Sequence, residues 1–255
     1  MVHPRTVDLF GVPIDALTMR EALDRVDESI AARRPIQIGV VNAAKLVNME
    51  RSAALREDVL SSDLVLADGT AVVWASRLLG RPLPERVAGI DLMMGMLARG
   101  NERGYRVYCL GARSDVLHAV VDHIRHAYPG VIVAGMHHGY FTAAEEEQVA
   151  ADIARAAPDI LLVAMTSPRK EQFLARWSRQ LAVPVCHGVG GSFDVVAGVV
   201  QRAPETWQRL GLEWLYRVKQ EPRRLWKRYL VTNTAFVWMV FAALLRQQFG
   251  RPHAA

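Results

Sequence analysis

The chain has 255 residues, of which 51% are hydrophobic and 22% charged, so it is not a disordered chain and has room for one large domain or two small ones. Its formal net charge of +5 is unevenly spread. Residues 1–201 carry 21 basic and 23 acidic side chains, whereas residues 202–255 carry ten basic and three acidic ones. We therefore expect a slightly acidic body over residues 1–201 and a basic appendage over residues 202–255.

The N-terminal segment and the cysteines indicate a cytosolic protein. The first ten residues include charged side chains and lack the apolar run of a signal peptide. Cys109 and Cys186 lie in apolar surroundings and have no metal-ligand spacing, so we expect two buried thiols. Such thiols are typical of a reducing compartment.

Short apolar runs alternate with longer amphipathic stretches through the body. The runs are residues 36–41, 64–67, 106–110, 131–134, 160–164 and 183–186. Between them, apolar spacing predicts helices at about residues 18–33, 43–60, 70–79, 90–103, 114–127, 143–156 and 170–181. This alternation predicts an α/β fold, Rossmann-like, with a mostly parallel sheet flanked by helices.

Residues suited to turns or to chemistry follow five of the predicted strands. They are Asn42, Asp68-Gly69, Gly111, Thr166-Ser167-Pro168 and His187-Gly188. Each is an ordinary turn residue by itself. Open parallel sheets bind ligands at the carboxyl ends of their strands, so the shared position of these residues predicts a ligand site there.

Several common catalytic signatures are absent from the sequence. The glycine-rich segment 187–192 is followed by Phe193, which breaks the GxGxxG pattern, and there is no Walker A motif or GxSxG elbow. No Asp-x-Asp pair is present, so a divalent cation bridging a nucleotide diphosphate would lack its usual carboxylates.

The candidate site residues each have an ordinary interpretation. Asp68 either caps the helix that follows it or takes a proton from a hydroxyl nucleophile. Arg86 is either a solvated charge or a clamp for a diphosphate. The backbone around Gly111, Gly190 and Gly191 either packs tightly or offers N–H groups to a phosphate.

From Ala203 onward the chain reads as helical, basic and rich in tryptophan. Its apolar stretch, residues 230–245, is short for a membrane span and is interrupted by Thr232-Asn233-Thr234. Such a segment is typical of a helix on an anionic membrane surface. Packing on the body and a homo-oligomer contact are alternatives. We do not expect nucleic-acid binding, because the body has no basic face to extend a groove.

Longer motifs along the chain match those of one protein family, in the family's order. They are Asn42, Ala67-Asp68-Gly69, Pro84-Glu85-Arg86-Val87-x-Gly89-x-Asp91-Leu92, Gly139-Tyr140-Phe141, Ser167-Pro168-x-x-Glu171, Gly188-Val189-Gly190-Gly191-x-Phe193-Asp194-x-x-Ala197-Gly198, Arg202-Ala203-Pro204, Gly211-Leu212-Glu213-Trp214-x-x-Arg217 and Pro222-x-Arg224. Over about residues 5–230 the chain resembles the WecG/TagA/CpsF glycosyltransferases.

This resemblance implies an inverting transferase that needs no metal and no cofactor. Such an enzyme moves a hexosyl unit, of the N-acetylmannosamine type or glucose, from a UDP-sugar to a polyprenyl-diphosphate-linked sugar. Its products are bacterial exopolysaccharides or cell-wall polymers, and it works in the cytoplasm, peripherally on the inner face of the cell membrane. A UDP-sugar epimerase and a non-catalytic membrane-associated protein of polymer assembly are the alternatives.

The resemblance also implies roles for particular residues. Asp68 resembles the general base, and Asn42 the active-site asparagine. Substrate or diphosphate contacts are implied for Arg86, Gly111, Lys170, Glu171, Gly190, Gly191, Asp194, Arg202, Arg217 and Arg224. Two positions depart from the family pattern, because Val40 replaces a frequent Thr and Lys170 a frequent Gln. The extra charge of Lys170 leaves the donor sugar open.

Overall fold

The computed structural model describes residues 6–249. Outside the described residues lie residues 1–5 and 250–255 and the side chains of Arg224 and Phe249. Residues 1–5 are part of the N-terminal segment on which the expected cytosolic location partly depends.

The described residues form eight strands and twelve helices. The strands are β1 (Thr6–Leu9), β2 (Val12–Asp15), β3 (Ile36–Val41), β4 (Leu64–Ala67), β5 (Arg106–Gly111), β6 (Ile132–His137), β7 (Ile160–Ala164) and β8 (Val185–Gly188). The helices are α1 (Met19–Ala32), α2 (Ala43–Arg51), α3 (Ala53–Leu60), α4 (Thr70–Leu78), α5 (Gly89–Arg103), α6 (Ser114–Ala127), α7 (Glu146–Ala156), α8 (Arg169–Leu181), α9 (Ser192–Val196), α10 (Glu205–Arg209), α11 (Glu213–Gln220) and α12 (Pro222–Phe249).

Six of the strands form one parallel sheet in the order β4-β3-β8-β7-β5-β6. Every residue of β4, β7 and β8 is buried, as expected for strands covered by helices on both faces. Cys109 and Cys186 are buried in this sheet as expected, and burial raises the pKa of both thiols to about 12. The predicted α/β class is thus confirmed.

An antiparallel hairpin of β1 and β2, which the sequence reading missed, lies against the edge strand β4. Its turn, Phe10-Gly11, has positive φ at both residues. The carboxylate of Asp15 accepts a hydrogen bond of 2.7 Å from the N–H of Val65 and so fixes the hairpin to β4. Strands of four residues are too short for apolar alternation to stand out in the sequence.

Several other predicted boundaries were wrong. The helix expected over residues 43–60 is two helices, because Ser52 ends the first and caps the second with its hydroxyl, 3.2 Å from the N–H of Leu55. Strands β6 and β8 begin later and run further than predicted. His187 and Gly188 therefore lie inside β8, and Gly111 lies inside β5, rather than in the turns that follow these strands.

The basic segment is helical, as expected, and ends in the 28-residue helix α12. One side of α12 packs on the body: Phe236 and Val240 are buried in a cluster with the hairpin, α2 and α4. The other side exposes Leu230, Val237 and Trp238. By length and composition alone, Leu225–Gln248 would suffice to cross a membrane, and only 17% of its most apolar stretch is buried.

Candidate active site

Three adjacent strands place the catalytic candidates at one edge of the sheet. Asp68 follows β4, Asn42 follows β3 and Gly190 follows β8, and these strands are neighbours in the sheet. A Cβ added to Gly69 would stand 3.3 Å from the Cβ of Asn42. Glycine at this position lets the turns after β3 and β4 close on each other, which brings Asp68 and Asn42 together.

Asp68 is held by backbone groups on two sides. Its N–H donates to the carbonyl of Val41 at 2.8 Å, and its Oδ1 accepts from the N–H of Gly89 at 3.1 Å. Burial raises the pKa of this carboxyl, against the opposing effects of the Gly89 hydrogen bond, Arg86 and Lys45. A carboxylate with a raised pKa is a stronger base, which suits proton abstraction from a hydroxyl group.

Asn42 is the N-cap of α2. Its Oδ1 accepts a hydrogen bond of 3.0 Å from the N–H of Lys45. Because the carbonyl oxygen of the side chain is held by the helix, the amide NH₂ is the donor that Asn42 can present to a ligand.

A network of opposite charges joins the loop before α5 to the C-terminal helices. Arg86 makes a 2.9 Å ion pair with Glu213 and one of 3.4 Å with Asp91, which also pairs with Arg202 at 2.5 Å. Burial opposes the charge of Arg86, but Glu213, Asp68 and Asp91 outweigh it and raise the pKa of this guanidinium. Arg86 and Arg202 therefore provide two fixed cations beside Asp68 and Asp91.

A second cluster, two lysines around one carboxylate, lies buried at the starts of α2 and α8. Glu171 Oε1 is 2.8 Å from Lys45 Nζ and 2.5 Å from Lys170 Nζ. Burial, and repulsion by Lys170, lower the pKa of Lys45 to about 8. The two lysines overcome the effect of burial on Glu171 and lower the pKa of its carboxyl to about 2. Lys45 was not singled out in the sequence, where it reads as an exposed helical lysine.

Replacing Glu171 by Gln should destabilise the protein in a pH-dependent way. Because the pKa of Glu171 is lowered from 4.5 to about 2, its stabilisation of about 3 kcal/mol is present above pH 4.5 and lost as the pH falls towards 2. Urea unfolding should show that loss for Glu171→Gln at pH 7 and a smaller one at pH 3. The exposed Glu147→Gln is the control. An equal loss at both pH values would contradict the buried ion cluster.

His187 supports the Asp68 loop from inside the sheet. Its Nε2 is 3.1 Å from the carbonyl of Gly89, and its Nδ1 is 3.4 Å from that of Ile38. Burial lowers the pKa of this imidazole, so the ring is neutral near pH 7. Since the N–H of Gly89 contacts Asp68, His187 holds the residue whose N–H orients the carboxylate. From the sequence it reads as a turn residue.

The remaining predicted site residues lie apart from Asp68 or, within the described part of the chain, have no hydrogen bond or ion pair with Asp68 or Arg86. Gly111 ends β5, four strand positions from β4, which is about 19 Å. Its φ of +126° and the carbonyl of Ala164 leave no room for a side chain, so packing alone requires glycine there. Gly190 and Gly191 lead into the short α9, which contains Asp194. Arg217 is exposed on α11.

Within residues 6–249, the structure has no group of three or more His, Cys, Asp or Glu side chains that could hold a metal ion.

Comparison with known proteins gives a consistent result. The model of the glycosyl transferase WecG/TagA/CpsF family matches residues 7–250. The chain is 39% identical over 175 residues to an N-acetylglucosaminyldiphosphoundecaprenol N-acetyl-beta-D-mannosaminyltransferase of Bacillus spizizenii, covering 68% of this chain and 67% of that one. It is 34% identical over 221 residues, 86% of each chain, to the protein of the same name from Staphylococcus aureus strain MW2.

The chain is therefore an enzyme that transfers a glycosyl group. The chain belongs to the WecG/TagA/CpsF glycosyltransferase family.

Proposed function

We propose that this chain transfers a hexosyl unit from a UDP-sugar to a sugar linked to a polyprenyl diphosphate, without a metal ion. The observation that carries the proposal is the placement of the Asp68 carboxylate beside Arg86 at the carboxyl edge of the sheet. The names of the relatives describe an undecaprenyl-diphosphate-linked acceptor and an N-acetylmannosaminyl group. We extend that acceptor class to this chain.

The proposed reaction is a single displacement. Asp68 takes the proton of an acceptor hydroxyl group, whose oxygen forms a bond to the anomeric carbon of the donor. The bond from that carbon to the diphosphate of UDP breaks at the same time, and UDP leaves with the bonding electrons. Displacement from the opposite side inverts the anomeric centre, and the relatives' names describe a β-linked product, as inversion of an α-linked donor gives.

Fixed positive charge replaces a metal ion at the leaving group in this proposal. Arg86 and Arg202 already face carboxylates at the site, and exchange of those partners for diphosphate oxygens keeps both guanidinium groups paired. Arg217 adds charge from α11. Arg224, whose side chain lies outside the described residues, stays a proposed diphosphate contact. We assign further contacts to the substrates to Asn42, Lys170, Glu171, Gly190, Gly191 and Asp194.

The donor sugar depends on the surroundings of Lys170. The relatives' names point to an N-acetylmannosamine-type donor. Lys170 is buried against Glu171, so an ammonium group stands at this position. We propose a UDP-sugar of the N-acetylmannosamine type as the donor, with UDP-glucose as the alternative donor to test beside it.

We propose residues 202–255 as a functional unit that brings the enzyme to the inner face of the bacterial cell membrane. Five basic residues and no acidic residue lie on α12, whose outer side exposes Trp238, Phe241 and Leu230. Such a helix binds anionic lipid surfaces. Because the acceptor is a lipid, this location gives the enzyme access to it from the cytoplasm.

The release of UDP tests this proposal directly. The protein is incubated with a panel of UDP-sugars and excess EDTA, with and without a polyprenyl-diphosphate-linked N-acetylglucosamine. We expect UDP release that requires the acceptor and continues in EDTA. If the UDP-sugar is isomerised and no UDP is released, the protein is an epimerase. If there is neither UDP release nor isomerisation, it is a binding protein. Loss of all turnover in EDTA would contradict the metal-independent reaction.

A further inference from the structure

Helix α4, which begins two residues after Asp68, exposes large apolar side chains on its outer side. Trp74 and Leu78 are 49% and 64% exposed and stand one turn apart, so they share one face of the helix. Val72 and Val73 on the inner side are buried. The charged residue of this helix is Arg77, which is exposed. The outer face is thus apolar and basic.

The C-terminal segment holds α4 at both of its ends. The side chain of Gln247 donates to the carbonyl of Leu79 at 3.3 Å. At the other end, a Cβ added to Gly211 would stand 3.1 Å from the Cβ of Thr70, so the backbone of Gly211 lies directly against α4. The inner face of α4 also shares one buried cluster with Phe236 of α12. The C-terminal end of α12 therefore lies beside the C-terminal end of α4.

We infer that the Trp74–Leu78 face of α4 docks on anionic phospholipid headgroups together with the outer face of α12. This rests on the proposed membrane association and assigns a part of it to the catalytic body. Tryptophan is favoured at the level of the headgroups, and arginine is attracted by their charge. Neither α4 nor α12 contains an acidic residue, so both faces suit the same anionic surface.

The position of α4 connects this surface to the catalytic site. The helix has nine residues and is about 13 Å long, and its N-terminus is capped by Gly69. Docking of α4 therefore places Asp68 within about 13 Å, the length of this helix, of the lipid headgroups. The sugar on a lipid diphosphate lies at that level.

Vesicle sedimentation of the full-length protein tests the inference. The vesicles contain phosphatidylcholine with or without about a third of phosphatidylglycerol. The variant Trp74→Ser/Leu78→Ser changes exposed side chains, and thermal unfolding verifies that it folds. We expect its binding to the anionic vesicles to fall at least about fivefold. Its KM for a long-chain lipid acceptor should rise, while turnover of a short-chain soluble acceptor stays unchanged.

The matched control is Ile132→Ser/Met136→Ser, a pair of exposed apolar residues with the same spacing on β6, at the opposite edge of the sheet from β4. It should bind vesicles like the wild type. If Trp238→Ser on α12 lowers binding and the α4 variant does not, the inference is wrong and the proposed membrane association stands. If neither the α4 variant nor Trp238→Ser lowers vesicle binding, both the inference and the proposed membrane association are wrong. A wild-type dimer that the α4 variant makes monomeric would show that a second copy covers this face, which also overturns the inference.

Discussion

Asp68→Asn should lower kcat about 10²- to 10⁴-fold, which is the range that a general base contributes. Asparagine has the same shape, and its Oδ1 can still accept the hydrogen bond from Gly89 that holds the carboxylate at 3.1 Å. The fold of the loop is therefore kept and only the ability to take a proton is lost. UDP binding, measured by calorimetry, should change little because the arginines remain.

The pH profile separates this role from a structural one. Burial raises the pKa of Asp68, so the activity of the wild type should begin to fall, as the pH is lowered, at a higher pH than an ordinary aspartate would give. This acidic fall should be absent from the pH profile of the residual activity of Asp68→Asn. Asp115→Asn, which changes an exposed carboxylate in the first turn of α6, the helix that follows β5, is the control and should be fully active. If the turnover of Asp68→Asn is within about twofold of the wild type, Asp68 is not the general base.

Phe236→Ala should lower the free energy of unfolding in solution by about 3–5 kcal/mol, a typical cost of removing a buried aromatic ring. Phe236 is 5% exposed, and its ring meets that of Phe10 edge to face at 5.9 Å. The variant leaves a cavity between α12 and the hairpin. Urea unfolding measures the loss.

Val237→Ala, at the next residue along the same helix and 67% exposed, is the control for this prediction. Its stability should stay within about 0.5 kcal/mol of the wild type, because surface substitutions away from special contacts are usually neutral. Equal, small effects of both variants would show that α12 does not pack on the body in solution.

The parallel sheet could be predicted because its strands are apolar runs of four to six residues separated by helices. Strand β4 was predicted with its correct bounds, Leu64–Ala67, since Asp63 and Asp68 flank it. The hairpin of β1 and β2 was missed because each of its strands has two or three buried residues, too few for a periodic pattern. The break between α2 and α3 depends on the Ser52 cap inside an otherwise continuous helical pattern.

The candidate site was predicted in part. The turn residues Asn42 and Asp68 follow adjacent strands, and the rule for parallel sheets brings them together. Which other predicted residues lie near Asp68 depends on the strand order, which cannot be predicted from this sequence. That order places Gly111 four strands from β4. Lys45 and His187 were missed because their roles come from burial against Glu171 and Gly89, contacts between residues more than 90 positions apart.

Mass spectrometry of the lipid product, combined with NMR of its new linkage, tests the central claim most directly. Wild-type protein in EDTA is given the UDP-sugar that supports acceptor-dependent UDP release and a polyprenyl-diphosphate-linked sugar. We expect the lipid to gain the mass of one hexosyl unit, with the anomeric configuration opposite to that of the donor. An unchanged lipid, or a product that keeps the donor's configuration, would contradict a single displacement assisted by Asp68.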